Sequence, residues 1–242
     1  MLAVAVFHSC LSSAAGGIVS APRKKPLMLR IFALSLSLFI LAIDPALAQA
    51  PSEATQVSRI FDVVRDGTKI GTDTIEIDTN GDTITVKFTT HISVVIMFIE
   101  AYRYEHSATE TWTAGQFVSY KSRTNDNGKK HSLSAIVVDD KLDLTVDGKQ
   151  QELPHVVLPA SLWNNDFINQ TELFDTDTGT ILSIKVKDMG DEPITLHGTK
   201  ITTHHYKITG DLARDLWLDG DVPVRIKLLG SDRSKIVSTL RR

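Results

Sequence analysis

Five dipeptides, Asp66-Gly67, Asn80-Gly81, Asn127-Gly128, Asp147-Gly148 and Asp219-Gly220, punctuate the chain. A two-residue hairpin turn needs positive φ at one or both central positions, which Gly adopts freely and Asn or Asp at small cost. The runs between such pairs alternate. Ile84, Val86, Phe88, Ile92 and Val94 share one parity, while Thr83, Thr85, Lys87, Thr89 and Ser93 share the other. Leu142, Leu144 and Val146 oppose Lys141, Asp143 and Thr145; Leu182, Ile184 and Val186 oppose Ser183, Lys185 and Lys187; Val224, Ile226 and Leu228 continue the series. One-sided strands joined by tight turns predict an antiparallel meander, not a parallel α/β sheet.

The clean segments predict about ten strands. An open sheet that long is unstable flat, so it must curl into a half or closed barrel. The expected fold class is therefore all-β. The pattern breaks over residues 158–174, where Pro159 and apolar Leu162, Trp163, Phe167 and Phe174 predict one or two short helices lying over the open side. No fixed-period repeat, low-complexity tract or Pro-, Gly- or Ser-rich linker divides the chain. Residues 57–242 are expected as a single curved-sheet domain behind a flexible stretch, 49–56.

Residues 1–48 read as a leader. Arg23, Lys24, Lys25 and Arg30 precede or open an apolar run, 29–43, which ends before Asp44-Pro45 and the small-x-small tripeptide Ala46-Leu47-Ala48. That order predicts a secretory signal cleaved after Ala48, with periplasmic destination. The run is shorter than the roughly 20 residues a spanning helix needs, so no transmembrane segment is expected in the mature chain. Translation from Met28 would give a more compact signal than translation from Met1. The single cysteine, Cys10, belongs to the leader, which leaves the exported part without a thiol for disulfide, metal or nucleophile. The full chain has 26 basic and 29 acidic residues; removing the leader's four and one leaves 22 and 28, a net charge near −6 that disfavours nucleic acid.

One stretch violates the alternation. Residues 94–99 are six consecutive apolar positions, Val-Val-Ile-Met-Phe-Ile. The run predicts either a bend covered on both sides, by the sheet interior and by residues 159–174, or an apolar lip through which an acyl chain or hydrophobic partner enters. The strand that follows puts Tyr102, Tyr104, His106, Ala108, Glu110 and Trp112 on one face and Arg103, Glu105, Ser107, Thr109 and Thr111 on the other. Aromatics with polar handles suit a ligand with an apolar body and a polar head. A plain core strand, with His106 and Glu110 bonded to neighbours, is the competing reading. The residues expected to touch a ligand are Ile92, Val94, Ile96, Phe98, Tyr102 and Tyr104, with Trp112, Trp163 and Trp217.

Catalytic and metal signatures are weak. His204 and His205 are adjacent and would point to opposite faces of a strand, and no His-x-His or His-x-x-x-His spacing accompanies a carboxylate, so no metal or other cofactor is expected. Asp177-Thr178-Gly179 matches the aspartic-protease tripeptide, yet polar Asp175-Thr176 precedes it where a buried catalytic strand would be apolar. It is read as a solvated turn. Esterase, β-lactamase, phosphate-loop and zinc-protease motifs are absent. His106 and Glu110 are the remaining candidate acid and base.

Several motifs together resemble a known group. Glu110-Thr-Trp112 with Gly115 and Phe117, Ser122-Arg-Thr-Asn-Asp-Asn-Gly128, Pro159-Ala-Ser-Leu-Trp163, Ile208-Thr-Gly210 and Leu216-Trp-Leu-Asp-Gly220 with Val224 resemble an uncharacterised secreted family of Gram-negative bacteria, a domain of unknown function. In architecture it is similar to the curved-sheet lipoprotein carriers LolA and LolB. The resemblance implies a periplasmic curved sheet with hydrophobic cargo and supplies no catalytic residues; the expectation is a monomeric, non-enzymatic protein with a hydrophobic or lipid-like ligand in its concave face. A structural or protein-interaction module with a packed core and an envelope partner is the alternative.

Overall fold

Tight turns dictate the topology. A computed structural model describes residues 54–241, so the leader and Cys10 lie outside the described residues. The strands are β1 (Thr55–Arg65), β2 (Thr68–Asn80), β3 (Thr83–Ile96), β4 (Ile99–Thr113), β5 (Gln116–Asp126), β6 (Lys129–Val138), β7 (Lys141–Val146), β8 (Lys149–Leu153), β9 (Leu158–Pro159), β10 (Glu172–Phe174), β11 (Ile181–Leu196), β12 (Thr199–Gly210), β13 (Arg214–Asp219), β14 (Val222–Leu229) and β15 (Lys235–Leu240). They form one curved, unclosed sheet in the order β8-β7-β6-β5-β4-β3-β2-β1-β15-β14-β13-β12-β11-β10-β9. Every pairing is antiparallel except β9 with β10. The all-β curved sheet therefore stands as expected, and its first strand opens within the stretch expected to be flexible.

Fifteen strands replace the expected ten because several turns lack the favoured dipeptides. Ala114-Gly115, Asp139-Asp140, His197-Gly198 and Met97-Phe98 all hold positive φ at both residues. Asp66-Gly67, Asn127-Gly128 and Asp147-Gly148 do so as the sequence implies. At Gly81 and Gly220 the register slips by one: each glycine follows the last strand residue and takes the first central position, the type II′ arrangement.

The expected helices reduce to one 3-10 turn, Asp166–Asn169, set between β9 and β10. Asn and Asp side chains compete for the backbone and weaken helices. Here Asn164 Oδ1 accepts from the Asp166 N–H at 3.2 Å. The segment nevertheless covers the sheet. Val157, Trp163 and Phe174 join a core with Phe61, Val86, Phe88, Tyr120, Leu133 and Leu144. Leu162, Phe167 and Leu173 join a second core with Ile184, Ile208, Leu216 and Leu218. One segment thus fills the concave face by packing against both halves of the sheet.

The turn between β10 and β11 completes this plug. Gly179 has φ +67°, and a Cβ built there would lie 2.6 Å from Val146 Cγ2 and 3.0 Å from Leu144 Cδ2. Gly179→Ala is expected to lower stability by about 2–4 kcal/mol, from backbone strain plus overpacking. Gly148→Ala, with comparable φ but open space around it, should lose only the strain, about 1–2 kcal/mol. Equal losses in urea unfolding would show that the turn is not seated against β7.

Candidate functional site

Period-two alternation on β4 delivers the inward side chains as the sequence implies: His106, Ala108, Glu110 and Trp112 are buried, and Tyr102 and Tyr104 half-buried. Glu110 is fully buried. Its Oε1 accepts from Trp112 Nε1 at 2.6 Å and from Trp163 Nε1 at 2.9 Å. The two indoles meet edge to face with centroids 6.3 Å apart. Oε2 has no hydrogen-bond partner, although the nearby Ser161 favours the ionised form. Burial dominates and pushes the carboxyl up to about 7.

The second cluster lies nearer the β3–β4 turn. His106 Nδ1 is 2.9 Å from Asp177 Oδ1 and 2.8 Å from Thr124 Oγ1, and its Nε2 is 3.2 Å from the Tyr120 hydroxyl. Thr124 and Tyr104 donate to the two Asp177 oxygens at 2.9 and 2.8 Å. Burial works to raise the Asp177 carboxyl, but the bonds from His106 and Tyr104 outweigh it and hold the group below its ordinary value. Ser122 Oγ donates to the Thr176 carbonyl at 2.8 Å, not to His106. Asp175 Oδ1 caps the turn by accepting from the backbone of Asp177 and Thr178.

The Asp-Thr-Gly tripeptide is therefore a turn, as expected, but Asp177 is not a solvated acid. Its carboxylate is the latch between the plug and the sheet. Sequence reasoning missed this partner because the residues lie 71 apart in the chain, His106 to Asp177; the signal that could have located the receiving face is the period-two alternation of the hydroxyls Tyr120, Ser122 and Thr124 on β5. His106 and Glu110 share a face four residues apart, about 13 Å along a strand, too far to act on one bond.

Residues 94–99 form the β3–β4 hairpin tip, which corrects the doubly covered reading. Exposure runs from 55% at Ile96 to 102% at Phe98, with Val95, Met97 and Ile99 also exposed. Residues 159–174 pack on the sheet cores elsewhere and do not reach the tip. Ile96 pairs with Ile99, and Met97 and Phe98 adopt φ of +47° and +68°. Bulky residues in this region carry strain that usually marks function.

The expected ligand residues thus separate. Trp112 and Trp163 meet at Glu110, and Tyr104 holds Asp177. Ile92 and Val94 are half-buried on β3, with Ile96 and Phe98 beyond them at the tip. Burial, with Asp126 beside it, pushes the Tyr102 hydroxyl up to about 12. Trp217 sits apart with Ile194 and Val224, stacked on His205 at 4.5 Å and donating to Glu192 at 2.9 Å. His204 lies between Asp188 and Asp191, and His205 between Glu192 and Asp215. The concave space left is a cleft of about 540 Å³ where Trp112, Phe117 and Leu158 meet Asn165, Asp166 and Gln170. Among the described residues no helix is long and apolar enough to cross a membrane.

A family model described as a domain of unknown function, DUF6134, matches residues 61–241. No curated protein matches the chain. The crystal structure of a β-barrel-like protein of another domain of unknown function, DUF1849, from Brucella abortus superposes with a TM-score of 0.58. The alignment covers 78% of this chain and 96% of that one at 12% identity, a likeness of fold.

Proposed function

From the premise that the chain belongs to the DUF6134 family, whose function is unknown, we propose an exported, non-enzymatic envelope protein that touches a lipid surface through its β3–β4 hairpin tip. The observation that carries this reading is the exposed apolar tip, held in strained backbone, on a sheet whose interior is already filled. Monomeric action and export rest on the leader-like residues 1–48 and on the likeness to lipoprotein carriers read from the sequence. The cleft beside Trp112 is rimmed by Asn, Asp and Gln, so an acyl chain fits it poorly. The tethered Ser122 and the separation of His106 from Glu110 favour a non-enzymatic role.

A lipid surface suits the tip for two reasons. A two-stranded finger with Met97 and Phe98 at its end can bury their side chains at the acyl boundary while the strands stay hydrogen-bonded. The same end of the sheet carries Lys69, Arg103, Lys129, Lys130 and Lys149, whereas Asp82, Asp139 and Asp140 occupy turns at the other end. Lys69 is paired with Asp62 and Arg103 with Glu100 and Glu105, Asp147 is engaged by His131 and Asp232 by Arg65, and among the described residues Lys129, Lys130 and Lys149 make no ion pair. Anionic headgroups therefore meet the lysines of the β5–β6 and β7–β8 turns, Lys129, Lys130 and Lys149.

Co-sedimentation with phosphatidylglycerol-containing vesicles is the test. Phe98→Glu should weaken partitioning by roughly tenfold or more, the value of one buried aromatic, without loss of fold. Unchanged partitioning removes the tip from the reading. Tip-dependent capture of a single envelope protein without vesicle binding replaces lipid by a protein partner.

A further inference from the structure

The outward face of β3–β6 holds a second feature, independent of the tip. A groove of about 600 Å³ crosses these four strands. Two adjacent cross-strand rows line it: Thr89, Ser107, Arg123 and Ser132 in one, and His91, Glu105, Asn125 and Lys130 in the next. A shallower groove continues it past Ser107 and Arg123 to Lys121.

Its cations are free and its acids are not. Among the described residues Lys121, Arg123 and Lys130 make no ion pair. Glu105 accepts from Asn125 at 3.3 Å and lies 3.9 Å from Arg103. Asp147, at the groove's end, is used by the Ser132 N–H and the His131 ring, both at 2.8 Å. An ordinary solvated sheet face intersperses charges of both signs and is flat. Here a concave patch keeps uncompensated positive charge on a mature chain of net negative charge. The hydroxyls of Thr89, Ser107 and Ser132 flank those cations at the strand spacing of about 4.8 Å.

We propose that this groove binds a soluble acidic oligosaccharide, a chain of sugar rings carrying carboxylates. Arg123 presents a planar fork to a carboxylate, and Lys121 and Lys130 supply point charges on either side. Ser, Thr and Asn side chains bond the ring hydroxyls, as both donors and acceptors. The groove lacks an exposed aromatic platform, so charge sets most of the affinity, and binding falls as salt rises.

The full-length protein is titrated with tetragalacturonate, with neutral maltotetraose of the same length and with inorganic phosphate, following backbone-amide NMR shifts. Tetragalacturonate should shift amides of residues 105–107, 121–125 and 130–132, and Arg123→Ala should weaken binding roughly tenfold. Near-UV circular dichroism checks the fold of that variant, and Phe98→Glu should leave saccharide binding unchanged, which separates this groove from the lipid reading. Equal affinity for maltotetraose, equal affinity for phosphate, shifts elsewhere on the sheet, or indifference to Arg123→Ala overturns the proposal. So does absence of binding to tetragalacturonate.

Discussion

Trp163→Ala is expected to cost about 3–5 kcal/mol of unfolding free energy. Three losses coincide. The indole leaves a cavity between Trp112 and the cluster around Phe61 and Val86. Glu110, fully buried, keeps only the Trp112 N–H on Oε1. Arg59, whose guanidinium donates to the Trp163 carbonyl at 3.1 Å, loses the packing that positions its acceptor. The effect is amplified because the plug has few ladder bonds: β9 and β10 are two and three residues long, so side chains must hold the segment in place. Trp163→Phe keeps an aromatic body and removes only the N–H, which should cost about 1–3 kcal/mol. Phe98→Ala, fully exposed, should change stability by less than about 0.5 kcal/mol. Urea unfolding at constant m compares all three. A Trp163→Ala loss below about 1.5 kcal/mol would falsify the claim that the segment carrying β9 and β10 is a packed plug.

How far this arrangement could be read in advance follows from the range of each interaction. Alternation on β3, β4 and β7 is a local property, and it assigned the inner face of Val86, Phe88, Leu142 and Leu144 without reference to partners. Turn chemistry is almost as local; it failed where strand pairing forces Met97, Ala114, Asp139 or His197 into positive φ, and it slipped by one residue at Gly81 and Gly220. The run at 94–99 was ambiguous for a different reason. Six apolar residues suit a covered bend and an uncovered tip equally, and only the length of the β3 and β4 arms relative to β2 and β5 decides. Pairing with β2 begins at Ile92 and with β5 at Tyr104, so the hairpin runs beyond both neighbours. The plug is helical only over Asp166–Asn169, less than expected, because Leu162, Trp163 and Phe167 carry near-helical spacing while serving two separate cores. Asp177 was illegible: nothing near it in sequence indicates that His106, Tyr104 and Thr124 converge on it.

Glu110 gives the plug a pH dependence with a definite sign. Its folded value, about 7, lies above the ordinary 4.5 of a glutamate because burial penalises the carboxylate. The folded state therefore binds the proton more tightly than the unfolded chain, and stability falls as pH rises between those values. The contribution is fully present below about pH 4.5 and lost through pH 7, about 3 kcal/mol in all. Half-buried Asp73, also raised, acts in the same direction. Asp62 and Asp232, held at about 2 by hydrogen bonds and salt bridges, have the opposite sign, but theirs is lost only as pH falls below the ordinary 3.8. Glu110→Gln isolates the effect. The amide oxygen can still accept from Trp112 and Trp163, while its N–H groups inherit the unpartnered Oε2 position. The variant should be less stable than the natural protein at pH 5 and more stable at pH 8, with a shallower fall between, the remainder coming from Asp73 and His204, whose values are also raised. Denaturation midpoints measured across that window decide the matter, for parallel curves would mean that Glu110 stays ionised in the fold and that an unseen donor satisfies its second oxygen.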